Sequence, residues 1–259
     1  MKTRLIPFAV LACSLAGPAS AQSYPSQPIR MVVPFAAGSG TDQVARVLGQ
    51  AMTAAANVTV VIENKPGANG FIAAQAVASA APDGYTMLLA TNTTHAANQH
   101  LFKHLPYDPV KDYTPVALLR KGYQIMVVRA DFPTRNVADF IALARKQPGK
   151  LNFGSGSSSS QVAGELFKQM ANVELTHVPY KSNPQALNDL MGGQIDVVFV
   201  DTSSAITLVQ GGKLRALAAT SPVRLSMLPD VPTLDQAGLK GYEMSYWTAA
   251  YLPRGASKE

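Results

Sequence analysis

"LNFGSGSSSSQVAGELFKQM", residues 151–170, sets two glycines and five serines between a strand-like start and a helix-like end. Four readings compete for it: a flexible linker, a nucleophilic serine on a sharp turn, a phosphate loop, or a cradle for some other anion. A second stretch narrows the choice. "PFAAGSGTDQVARVLGQAM", residues 34–52, has the same order of parts: a strand, Phe, Gly-Ser-Gly, then Ser, Thr or Asp, then Gln-Val-Ala opening a helix.

The first turn of a helix carries unpaired backbone N–H groups and the positive end of the helix dipole. Glycines before it let a ligand approach the backbone, and hydroxyls add donors, so such a loop suits an anion. Each loop also stands at the carboxyl end of a strand, where open α/β sheets bind ligands. The sharper alternatives fail on residue identity. Neither loop has the third glycine of a dinucleotide fingerprint or the Gly-Lys-Ser/Thr of a P-loop. No frame of residues 154–160 gives Gly-x-Ser-x-Gly. A linker would not run without a gap into an amphipathic helix. Two readings stay open: an anion cradle, and an N-capped turn that is only structural.

Around these loops the chain alternates. Ile29–Phe35, Val58–Asn64 and Tyr85–Thr91 read as strands, with helices over 41–56 and 71–80 between them. Thr41 or Asp42 is the expected N-cap of the first helix. Residues 92–115 break the pattern. Val116–Leu119 and Gln124–Ala130 read as two short strands, after which helices (136–146, 160–170, 184–191, 203–210) alternate with strands (151–155, 174–180, 195–201, 214–220). The fold class expected is α/β: two lobes, each a mainly parallel sheet flanked by helices, with a cleft between them.

At the start, Lys2 and Arg4 precede the apolar run Leu5–Leu15, and Ala19-Ser20-Ala21 precedes Gln22. This reads as a secretory signal peptide over 1–21. The only cysteine, Cys13, lies inside it, so the remaining chain is expected to have no disulfide, thiol nucleophile or Cys-ligated zinc. The net charge of +6 comes from scattered basic residues with no aromatics spaced among them, which disfavours nucleic-acid binding.

Other candidates are weaker. His95, His100 and His104 lack a carboxylate at ligand spacing and read as part of a solvated connection. Asp201 closes an apolar strand and suits either a ligand amine or a helix cap. Tyr180 and Lys181 follow another strand end, and Trp247 suits core or cleft. A hydrolase would need one of Ser157–Ser160 with His177 as base. Nothing calls for a cofactor or a metal.

The residues also resemble a known family. "YPSQPIRMVVPFAAGSGTD", "VIENKPGANGFIAAQAVASAAPDGYTMLL", "LPYDPVKDYTPVALL", "VPYKSNPQALNDLMGGQIDVVFVD" and "GKLRALAATSPVRLSMLPDVPTLDQAGL" occur in this order and are similar to the substrate-binding receptors of tripartite tricarboxylate transporters, the Bug family. The resemblance implies a periplasmic, non-enzymatic, monomeric Venus-flytrap protein. It would hold a small carboxylate between two loops and be read by inner-membrane transporter subunits or a sensor. Domains are then expected at 22–121 (lobe 1), 122–220 (lobe 2) and 221–259 (return to lobe 1), after the signal peptide. Carried over residue by residue, the ligand-binding set is Phe35, Ala37, Gly38, Ser39, Thr41 and Asp42 from the first loop, and Ser155, Ser158, Ser159, Ser160 and Gln161 from the second. Thr91, Tyr180 and Asp201 complete it. Ser39, Gln161 and Ser182 depart from the family's usual glycine, histidine and glycine. Relatives continue past "YLPRGASKE", so a shortened, non-binding remnant of the family is the alternative expectation, with a secreted serine hydrolase behind it.

Overall fold

The computed structural model describes residues 24–257; the expected signal peptide and Cys13 lie outside them. In chain order the elements are β1 (Ile29–Val33), α1 (Gly40–Ala56), β2 (Val60–Asn64), α2 (Phe71–Ala78), β3 (Thr86–Thr91), α3 (Asn98–Leu101) after a π-helical turn, and β4 (Tyr113–Arg129). Then come α4 (Val137–Lys146), β5 (Asn152–Ser155), α5 (Ser158–Ala171), β6 (Thr176–Pro179), α6 (Asn183–Met191), β7 (Val197–Asp201), α7 (Thr202–Gln210), β8 (Leu214–Ala219) and β9 (Ser245–Pro253).

The strands run in the order β2-β1-β3-β9-β4-β7-β5-β6, with β8 also paired to β4. Each half has a parallel core of three strands, β1 with β2 and β3, and β5 with β6 and β7, flanked by antiparallel pairings of β9 with β3 and of β4 with β7 and β8. Successive residues of these strands point to opposite faces, and each face buries an apolar layer. In the first half, Met31, Val33 and Leu89 pack on α1, while Val32, Leu88 and Ala90 pack on α2 with Tyr107 and Tyr113. In the second half, Met126, Phe153 and Phe199 face Phe140 and Phe167, while Ile125, Val198 and Val200 face Leu187, Leu190 and Ala205. These are the two α/β lobes that the alternating pattern predicts.

The join between them differs from the expectation. The two short strands expected at 116–119 and 124–130 are one strand, β4. Its first part pairs antiparallel with β9, from Tyr113 opposite Pro253 to Tyr123 opposite Ser245. Its second part, from Gln124 on, pairs antiparallel with β7 and β8. Lys121 and Gly122 look like a break in the sequence because their strand partners, Trp247 and Tyr246, are far along the chain. The return segment therefore supplies β9, inserted between β3 and β4, where the alternating pattern signals nothing.

The histidine segment also differs. His100 and His104 are exposed, but His95 packs among Tyr107, Tyr113 and Tyr251. Burial pushes its pKa down to about 4, so it is neutral near pH 7. The described residues hold no cluster of metal-ligating side chains, and none of their helices is long and apolar enough to cross a membrane.

Candidate functional site

The first loop is held from inside. The N-cap of α1 is Ser39, whose Oγ accepts the Asp42 N–H at 3.2 Å; Thr41 and Asp42, the expected caps, are already inside the helix. Asp42 is buried, with its carboxylate accepting the Gly38 N–H at 2.9 Å, Arg46 Nε at 2.8 Å and Asn64 Nδ2 at 3.0 Å. Burial works to raise the Asp42 pKa, but these three bonds outweigh it and hold the group below its ordinary 3.8. Stability from a depressed carboxyl is present above the ordinary value and is lost as pH falls through the folded value. The melting temperature should therefore fall as pH drops below about 4, and Asp42→Asn should flatten that fall in a pH series of thermal melts.

The second loop is built alike. Ser157 caps α5, its Oγ accepting the Ser160 N–H at 3.2 Å. Gly156 donates its N–H to Asn183 Oδ1 at 3.1 Å, so the loop is tied to the start of α6.

The two loops face each other across one narrow, partly open space. Its walls include Ser39, Gly40 and Thr41 from the first loop, and Gly156, Ser157 and Ser159 from the second. Asn183 at the start of α6 and Asp201 at the start of α7 also line it. Four helix N-termini therefore converge on one point. Each carries a positive dipole end and unpaired N–H groups, because each helix follows a strand whose carboxyl end opens there. Arg120 adds a full positive charge, and Thr91, Asn92, Thr93, Phe35, Tyr246, Trp247 and Thr248 complete the wall. Burial, then the nearby Asp201 carboxylate, push the Tyr246 phenol up to about 12, so it stays protonated.

Several wall groups are buried without a hydrogen-bond partner. Thr91 Oγ1, Thr93 Oγ1 and Arg120 Nε are all in this state, and Thr91 and Thr93 are 5 % and 0 % exposed. A buried polar atom left unpaired is costly, and three of the eight such atoms among the described residues lie at this cavity. The lobes stand close together. Ser158 Oγ donates to Asn98 Oδ1 at 3.0 Å, Arg120 Nη1 to Ser203 Oγ at 3.0 Å and Gln43 Nε2 to Ser203 O at 3.4 Å. The space left is about 20 Å³, room for about one water.

Among the residues expected to bind, Phe35, Ser39, Thr41, Thr91, Ser159 and Asp201 line this space. The others stand off it. Ala37 and Gly38 are exposed on the outer side of their loop, and Asp42 is consumed by the bonds above. Ser158 reaches Asn98, Ser160 Oγ donates to Phe199 O, and Gln161 lies in a groove beside Leu101. Tyr180 donates to Asp189 Oδ2 at 2.8 Å, and Lys181 is exposed. Asp201 stands at the N-cap of α7 but makes no capping bond. Its oxygens accept from Ser204 Oγ at 2.9 Å and Asn183 Nδ2 at 3.4 Å. The serine-hydrolase arrangement is not formed. His177 Nε2 meets Ser155 Oγ at 2.7 Å, not Ser157–Ser160, and its ring stacks on Phe153 away from the cavity wall.

Sequence reasoning missed Thr93, Asn183, Arg120 and Tyr246. Asn183 had a signal, since it follows a strand and opens a helix as the two glycine loops do. Arg120 and Tyr246 had none, because neither stands at a strand end before a helix and only the β4–β9 pairing brings them to the wall.

A family model described as "Tripartite tricarboxylate transporter family receptor" matches residues 44–259. The chain belongs to this family. Three solved structures resemble the receptor closely. R. palustris Rpa4515 with adipate is 34% identical with a TM-score of 0.89, covering 91% of this chain and 80% of that one. The periplasmic binding protein BugD is 37% identical with a TM-score of 0.87, covering 91% and 79%. MatC from Rhodopseudomonas palustris with bound malate is 35% identical with a TM-score of 0.86, covering 90% and 80%. The two-lobed α/β fold of the receptor is thus that of periplasmic binding proteins. The family is one of substrate-binding receptors rather than enzymes.

Proposed function

We propose that the chain is a periplasmic solute-binding receptor that captures a small carboxylate between its lobes. The observation that carries this reading is the convergence of four helix N-termini and Arg120 on one cavity with orphaned hydroxyls. Adipate and malate, bound in the two similar R. palustris structures, support a small carboxylate as the ligand. Neither fits a 20 Å³ space, so the lobes must part to admit a ligand.

The division we propose follows the expected boundaries, 22–121 and 122–220, with 221–259 returning to the first lobe. The hinge lies where β4 changes partner from β9 to β7 and β8. The ligand-binding set is centred on Phe35, Ser39, Thr41, Thr91, Ser159 and Asp201, joined by Thr93, Asn183 and Arg120. The receptor works as a monomer, with residues 1–21 as its export signal, and its closed form is what an inner-membrane transporter or sensor reads. No nucleic acid is involved.

A thermal-shift panel of small carboxylates tests the function. A true ligand at a hundred times its dissociation constant should add about 2.7 kcal/mol of stability. A folded receptor that shifts with no carboxylate would overturn the reading. Thr93→Val tests the site in two opposite directions. Removing the orphaned hydroxyl should stabilise the unliganded protein by about 1 kcal/mol and weaken ligand binding about tenfold, as read by melts and by titration calorimetry.

A further inference from the structure

Ser158 makes a contact that stands apart from the ligand cavity. Its Oγ donates to Asn98 Oδ1 at 3.0 Å, and neither residue lines the cavity wall. Ser158 opens α5 in the second lobe, and Asn98 opens α3 in the first. Both residues are 0 % exposed. The bonds from Arg120 and Gln43 to Ser203 also join the lobes, but they are only partly buried.

Asn98 is held in place from its own lobe. Its Nδ2 donates to Asn69 O at 2.9 Å and to Tyr107 Oη at 3.4 Å, and Tyr107 donates in turn to Thr94 O at 2.6 Å. Burial raises the Tyr107 pKa, so the phenol keeps the proton it donates. Both amide hydrogens of Asn98 are thereby committed inside the first lobe, which leaves Oδ1 turned toward the second. Ser158 is available to meet it because Ser157 is the residue that caps α5.

A hydrogen bond sealed from water matters most through what its loss leaves behind. Without the Ser158 hydroxyl, Asn98 Oδ1 would be buried and unpaired while the lobes are together, and hydrated once they part. The penalty therefore falls on one conformation alone. We infer that Asn98 and Ser158 form a latch that stabilises the closed form of the receptor. They are positioning residues, holding the lobes on a ligand that neither one touches. Ser158 thus acts through the contact between lobes and not as the ligand contact that the family resemblance implies. This rests on the receptor reading above.

The test is Ser158→Ala in the full chain, compared with wild type on adipate, malate and succinate by titration calorimetry and stopped flow. Ser158 is the first residue of α5 and does not cap it, so alanine leaves the helix intact, and melts check that the variant folds. A latch belongs to the protein, so its loss should weaken every ligand that the wild type binds by one common factor, about tenfold. The change should appear in the dissociation rate, with association unaltered. A residue that touched the ligand would instead change the ranking. Unchanged affinities, or losses that differ by more than about twofold among the ligands, overturn the latch while the receptor reading stands. If the wild type binds none of the three, the receptor reading fails and small-angle scattering decides the latch alone. A larger radius of gyration in Ser158→Ala than in wild type then supports it, and equal radii overturn it.

Discussion

Gly156→Ala is expected to cost about 3 kcal/mol or more and to lower the melting temperature by about 6–12 °C. A Cβ at this position would stand 2.0 Å from the Ser182 carbonyl carbon and 2.1 Å from the Asn183 nitrogen. Both are backbone atoms, so no side-chain rotation relieves the clash. The second loop and the start of α6 would have to separate, breaking the bond from the Gly156 N–H to Asn183 Oδ1. Two of the four helix N-termini would then lose their mutual register. A variant that melts like the wild type would mean that the loop does not depend on this contact. Ser157→Ala, which removes only a cap, should cost about 1 kcal/mol and serves as the comparison for an ordinary change in the same loop.

Gly40→Leu is expected to leave the protein folded and to weaken ligand binding about a hundredfold or more. The atoms a Cβ would meet here are the ends of three side chains, Asp201, Ser203 and Arg120. All three belong to the other side of the cavity or to β4, and none belongs to the first loop. The added bulk therefore opposes the approach of α1 to α7 and not the folding of the first lobe. Gly40 is the first residue of α1 and has no left-handed backbone conformation, so a leucine there costs no backbone strain. Calorimetry should register the lost affinity, and small-angle scattering should register a receptor that stays open when ligand is added. Full affinity in this variant would place the closure contact elsewhere.

These two glycines also show what could be read in advance. Both stand in the Gly-Ser-Gly stretches that match each other, and the match alone put them at strand ends before helices. The Gly-Ser-Gly spacing did not reveal their difference. Gly156 is required by a contact within its own lobe, Gly40 by a contact across the cavity. The same limit applies to the hydroxyls. Ser39, Ser157, Ser158, Ser159 and Ser160 are alike in sequence, yet two cap helices at the cavity wall, Ser159 lines the same wall without capping, Ser158 bridges to Asn98 and Ser160 bonds a strand carbonyl.

What the sequence alone determined was local. Alternating strands and amphipathic helices required a parallel three-strand core in each of two lobes, because each apolar face had to be covered by the next element along the chain. The glycine loops required helix N-termini at strand ends. Tertiary structure decided the rest. β9 enters between β3 and β4, and β4 runs on unbroken as the link between lobes, because hydrogen bonds between strands far apart in sequence leave no periodic trace in either one. The same pairing carries Arg120 and Tyr246 to the cavity, while the pairing of β4 with β7, Gln124 opposite Asp201, brings Asp201 toward Arg120. A charge becomes part of a site by what stands near it in space, and for these residues the neighbours come from distant parts of the chain.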